Sequence, residues 1–140
     1  RIADRCGDVV DIYERIGTSE KILSDQAKEE LAQCVTIAEE LFEQAITAVA
    51  TDNVDQAEQV IQDKKRMRKA QKKSTKKHLE RLQEKQCDPE LTRAYSGILL
   101  NLDRVADNCT GIAEEALDRV TYVRFDTEEN AQQNAIAANA

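Results

Sequence analysis

The chain has 140 residues, a net charge of −7, 4% aromatic residues and no tryptophan. That is enough for one domain, with a core built mainly from aliphatic side chains. A single proline and four glycines exclude a turn-rich sheet protein and suit long, uninterrupted helices. The charge is uneven: residues 64–77 carry nine Lys or Arg and no acid, which leaves −16 on the remainder.

The first predicted helix covers residues 1–16, with Ile2, Cys6, Val9, Tyr13 and Ile16 on one stripe and Gly17 just past its end. Ser24 is the expected N-cap of a second helix reaching Ala50. Its stripe is Leu31, Val35, Ala38, Leu41, Phe42, Ala45 and Val49. Asn53 followed by Gln56 resembles a capping box that opens a third helix over 54–86. This helix has apolar anchors at its ends, Ala57, Val60 and Ile61, then Leu79 and Leu82. Between them only Met67 and Ala70 are apolar, so the helix must extend beyond the core, face a partner or lean on its neighbours elsewhere.

In "CDPEL", Asp88 reads as N-cap and Pro89 as the first position of a fourth helix. It continues to Val123 through Tyr95, Ile98, Leu102, Val105, Cys109, Ile112, Ala116 and Val120. Short connections between long helices predict an all-α, antiparallel up-and-down bundle over residues 1–123. Residues 124–140 form a polar Ala/Asn/Gln-rich tail that either frays or continues as helix. Cys6, Cys34, Cys87 and Cys109 form no CxxC pair and read as buried free thiols of a reducing compartment. No apolar run approaches the roughly 20 residues that span a bilayer. The start at Arg1, already inside a helical pattern, reads as that of a soluble fragment of a longer protein.

Two segments repeat a device. "DRCGD" (4–8) and "DRVAD" (103–107) each set two aspartates four apart, Asp4 with Asp8 and Asp103 with Asp107. Both pairs fall away from the apolar stripe of their helix, on the expected solvent side. Like charges at this spacing repel by a few tenths of a kcal/mol. A hard cation would offset the repulsion, and Arg5 and Arg104 beside them offer an ion-pair alternative.

The segment from Leu31 to Leu117 resembles a PhoU-type three-helix repeat, whose closing helix carries an acid-x-x-x-Asp motif, here "DRVADNCTGIAE". The upstream "DRCGDVVDI" resembles the same motif at the end of a preceding repeat. The stretch "KKHLERLQEKQCDPELTRAYSGILLNLDRVAD" is similar to the cytoplasmic C-terminal domain of bacterial sodium/phosphate cotransporter family proteins. His78, Arg81, Leu82, Cys87, Pro89, Glu90, Asp103 and Asp107 carry that similarity. The resemblance implies a non-catalytic, regulatory PhoU bundle at the cytoplasmic face of a bacterial inner membrane. It implies divalent or iron-type metal cations at Asp4, Asp8, Asp103 and Asp107. Lys64 and Arg68 stand where the family usually has acids, and Gly111 where it has Asn, which weakens the metal reading.

The basic run Lys64, Lys65, Arg66, Arg68, Lys69, Lys72, Lys73, Lys76 and Lys77 reads either as a solvated face or as a contact face. Its candidate partners are an anionic membrane surface or an acidic protein surface. The absence of interleaved aromatics and the overall acidity argue against nucleic acid. His78, the only histidine, reads as structural or surface. No nucleophile–base pairing, glycine-rich phosphate loop or HExxH signature is present, so no enzymatic activity is expected. The expected role is modulation of phosphate uptake, or relay of phosphate status, as part of a sodium/phosphate symporter. The expected partners are the membrane portion of the same polypeptide or another membrane or signalling protein, and a homo-oligomer stays open. The alternatives are a stand-alone PhoU-type regulator binding a sensor kinase or phosphate transporter, and a metal-binding bundle.

Overall fold

A computed structural model describes residues 1–139 and contains four helices: α1 (Ile2–Gly17), α2 (Asp25–Thr51), α3 (Val54–Gln83) and α4 (Leu91–Ala138). Helices α2, α3 and α4 pack pairwise into an up-down-up bundle, while α1 packs on α4. Two of the sequence-predicted starts are made by side chains. The Ser24 hydroxyl accepts from the Ala27 N–H and Asn53 Oδ1 accepts from the Gln56 N–H, each satisfying an otherwise orphan donor. Asp52 closes α2 in the left-handed region at φ 50°, and the next helix begins two residues later.

Two boundaries differ from expectation, and the tail takes the helical one of its two expected states. Helix α4 begins at Leu91 because Asp88 is spent on a turn, its Oδ1 accepting from the Glu90 N–H while Leu91 N–H bonds back to Asp88 C=O. Helix α3 stops at Gln83, where Lys85 turns left-handed and Gln86 N–H returns to Arg81 C=O. The polar tail continues α4 as helix to Ala138, with its side chains exposed from Thr121 onward.

The core is a column of small and medium side chains. Helix α2 contributes Leu31, Cys34, Ala38, Leu41, Ala45 and Ala48, and α3 contributes Ala57, Val60 and Met67. Tyr95, Ile98, Leu99, Leu102, Val105, Ala106, Cys109 and Ala113 come from α4. Several expected stripe residues lie outside it: Tyr13, Val35, Phe42 and Leu79 are exposed and Leu82 is half-buried. Val35, Phe42 and Val49 instead line an open groove of about 1010 Å³ beside the start of α1. That groove exists because α1 leans on α4 alone. Close approach at its other end is allowed by Gly97, where a Cβ would sit 3.2 Å from Ile12 Cδ1.

The polar half of α3 does lean on its neighbours, through polar side chains. Arg81 Nη1 and Nη2 donate to Glu30 Oε1 and Oε2, each at 2.9 Å, a bidentate pair between α3 and α2. The Tyr95 hydroxyl of α4 donates to Glu30 Oε2 at 2.6 Å. His78 stacks on the Tyr95 ring at 4.6 Å, and its Nε2 shares a 3.0 Å hydrogen bond with the Thr92 hydroxyl. Glu30, Ser74, His78, Arg81 and Tyr95 are all buried. Burial alone would raise the Glu30 carboxyl, but the hydrogen bonds from Arg81 and Tyr95, with the Arg81 and Lys77 charges, hold it below its ordinary value. Burial, then the Arg81 charge, lowers the pKa of His78 against the opposing pull of Glu30. Burial and the carboxylate beside it raise that of Tyr95.

Breaking this pair from one side leaves a buried, incompletely compensated carboxylate. Arg81→Met should therefore cost about 3 kcal/mol of unfolding free energy. Glu30→Gln combined with Arg81→Met should recover most of that loss, and urea denaturation of the three proteins measures it. Because both His78 and Glu30 have depressed folded-state pKa values, their contributions are present at neutral pH and decline on acidification. For His78 the decline begins as pH falls through its ordinary value of 6.5, and for Glu30 through 4.5. The Tm should accordingly fall between pH 7 and pH 5, and His78→Gln should flatten that upper segment.

Candidate functional site

Helix α4 carries the DRVAD motif where it crosses α3, and the two aspartates are treated differently. Asp107 is exposed at the helix edge and forms a close ion pair with Lys64 of α3. Asp103 is half-buried, and its Oδ1 is enclosed without a hydrogen-bond partner among the described residues. Thr110, on the same side, is buried and returns its hydroxyl to Ala106 C=O. The outward side expected from the wheel holds for Asp107 but not for Asp103 and Thr110, because α4 has three helical neighbours. Small side chains at Ala106, Thr110 and Ala113 allow close packing on a flank that a two-neighbour helix would expose.

The counterparts on α1, Asp4 and Asp8, are exposed, and Arg5 Nη1 donates to Asp8 Oδ2 at 3.2 Å. Among the described residues no three His, Cys, Asp or Glu side chains come together to hold a metal. A hard cation such as Ca²⁺ takes about six to eight oxygen ligands. Here the pairs stay apart, and the Lys64 ammonium already neutralises Asp107. Gly111 offers no ligand, and a Cβ placed there would meet nothing within 4 Å. The residues do not fit a metal cluster.

The basic run divides into two sets. Lys64 reaches Asp107, Arg66 meets Glu40 of α2 at 2.8 Å, and Lys77 approaches Glu30 at 3.7 Å. These three stitch α3 to its neighbours. Lys76 faces Glu80 of its own helix at 3.9 Å. Lys65, Arg68, Lys69, Lys72 and Lys73 are exposed and have no ion-pair partner among the described residues.

The two buried thiols offer no activated nucleophile. Cys34 and Cys109 are buried, as the sequence suggested, but Cys6 is exposed and Cys87 half-buried. Burial raises the pKa of the Cys34 thiol, and burial followed by the proximity of Cys6 pushes Cys109 up to about 11. Protonated thiols are poor nucleophiles. His78 is committed to Tyr95 and Thr92. The hub of the buried network, Glu30, is absent from the sequence reading. Its signal was present, an acid three residues after Ala27 and four before Cys34 on the buried stripe of α2. Glu40 and Thr92 left no comparable trace.

The Lys64–Asp107 contact makes a direct prediction. Lys64→Glu replaces an attraction by a like-charge pair at a half-exposed site and should cost up to about 1 kcal/mol. The variant should then show a Tm that rises with added Mn²⁺ or Mg²⁺, while the parent chain's Tm stays constant over the same titration.

No curated protein and no solved structure matches the chain. A family model, the PhoU domain, matches residues 31–116. That span starts in the first turns of α2, runs through all of α3 and ends in α4 where the buried core ends, at Ala116. It contains the DRVAD motif, the basic run and the Glu30-binding residues Arg81 and Tyr95. The family is regulatory and non-enzymatic, and its domain points to a regulatory role in phosphate homeostasis. Covering more than half of the chain, the match establishes that this protein belongs to the PhoU domain family.

Proposed function

We propose that this domain modulates phosphate uptake by a sodium/phosphate symporter, or relays phosphate status to it, through protein contacts and without chemistry of its own. The observation that carries the reading is the family match across the three-helix unit. Its support for a symporter setting comes from the sequence order His78-x-x-Arg81-Leu82, Cys87-x-Pro89-Glu90, then Asp103 and Asp107. The geometry is consistent with a domain that transmits contacts rather than binds a small substrate. Its buried polar groups are used to fix one helix to another, and the acidic motif is used in an interhelical ion pair. No helix among the described residues is long and apolar enough to cross a membrane, so transport itself would reside in a partner or in another part of the same polypeptide.

Radiolabelled phosphate uptake tests this in cells carrying a sodium/phosphate symporter, with and without the domain, in sodium and in choline buffer. The sodium-dependent component should change its apparent phosphate affinity by about fivefold or more, the low end of ordinary coupling between sites. An unchanged sodium-dependent component would remove the symporter setting. A change confined to the sodium-independent component would transfer the role to a stand-alone PhoU-type regulator.

A further inference from the structure

The exposed cations of α3 form a geometrically simple surface. At 100° per residue from the buried Met67, Arg68, Lys72, Lys65, Lys76, Lys69 and Lys73 fall between about 100° and 240°, on the side opposite the core. Lys65 to Lys76 spans about 17 Å at 1.5 Å per residue. Their side chains are exposed, and α3 carries no acid between Asp63 and Glu80. The repeat places like charges three or four residues apart, as in Lys65–Lys69, Arg68–Lys72, Lys69–Lys73 and Lys72–Lys76, and each such pair is destabilising. The three cations turned toward α2 and α4 meet acids within the fold: Lys64 at Asp107, Arg66 at Glu40, and Lys77, more distantly, at the Glu30 carboxylate that Arg81 holds. Those turned outward are left to repel one another, apart from Lys76 with Glu80. The stripe lowers the stability of its own helix and, Lys76 apart, finds no ion-pair compensation among the described residues.

We infer that the outer stripe of α3, Lys65, Arg68, Lys69, Lys72, Lys73 and Lys76, docks on an anionic lipid bilayer surface. The charge asks for a polyanion, and the composition selects which kind. Five of the six are lysines, and no aromatic or aliphatic side chain lies among them. Leu79 at the stripe's end is the nearest exposed apolar group. Protein interfaces centre on aromatic and arginine anchors and are depleted in lysine. Single-stranded nucleic acid needs stacking platforms that this face lacks. A plane touches only the outermost row. A straight, convex row of flexible lysines meets a bilayer surface without matching individual headgroups. The inference stands on this stripe alone and does not require the symporter setting.

Sedimentation with vesicles of pure phosphatidylcholine, or of phosphatidylcholine with about one third phosphatidylglycerol to give an anionic surface, tests it. The comparison is between the parent chain and a variant carrying Lys65→Gln, Lys69→Gln, Lys72→Gln and Lys76→Gln. Each cation near an anionic surface strengthens partitioning about fivefold. The parent should therefore pellet with the anionic vesicles only, more strongly at low salt, and the variant should bind over 100-fold more weakly, about four such factors. Relief of like-charge repulsion should also raise the variant's Tm, which verifies that it is folded. Failure of the parent to pellet at either salt, equal pelleting by the variant, or tighter binding to a duplex oligonucleotide than to the vesicles would each overturn the assignment.

Discussion

One carboxylate organises the bundle. Glu30, near the start of α2, receives both guanidinium nitrogens of Arg81 from α3 and the hydroxyl of Tyr95 from α4. Tyr95 in turn supports His78, which binds Thr92. Three helices are thus tied through one side chain in a region where α3 offers almost no aliphatic surface. An ion pair of this kind contributes modest net stability, since desolvation opposes the Coulombic gain. Its consequence is positional: a carboxylate with three directed donors admits one register of α3 against its neighbours.

The fixed register explains the division of charge along α3. A helix over 64–77 with nine cations would ordinarily gain little by lying on a bundle. Met67 and the buried Ser74, His78 and Arg81 define its inner face. Lys64, Arg66 and Lys77 are then brought to acids on α4 and α2, and the remaining cations are turned outward. The same register sets Lys64 on Asp107, which converts the acidic motif from a prospective cation ligand into an interhelical contact. The regulatory family and the charged outer face are mutually consistent, and the buried Cys34 and Cys109, held protonated, add no nucleophile.

Much of this architecture was legible from residues. The caps at Ser24 and Asn53 mark two helix starts because their hydrogen bonds are local. The 3.6-residue stripes of α2 and α4 mark the core where a helix has one dominant buried side. The stripe rule failed where neighbours were fewer or more numerous than assumed. Phe42 and Val35 are left open because α1 does not cover α2, whereas Thr110 is buried because α4 has three neighbours. Leu79 misled for a related reason, since the buried arc of α3 there is filled by His78 and Arg81. The DRVAD motif identified the family but not its local chemistry. Lys64 lies 43 positions away in sequence from Asp107, a distance set only by the packing of α3 on α4.

The central claim is that Glu30 holds the polar half of α3 on the bundle. Native-state hydrogen exchange measures this directly, amide by amide. The account predicts that amides from Lys72 to Arg81 open only in the global unfolding transition, together with those around Leu41 and Leu102. In Glu30→Gln the α3 segment alone should exchange through a separate, lower-energy opening. Fast local exchange over Lys72–Arg81 in the parent chain, or identical protection in the two proteins, would contradict it.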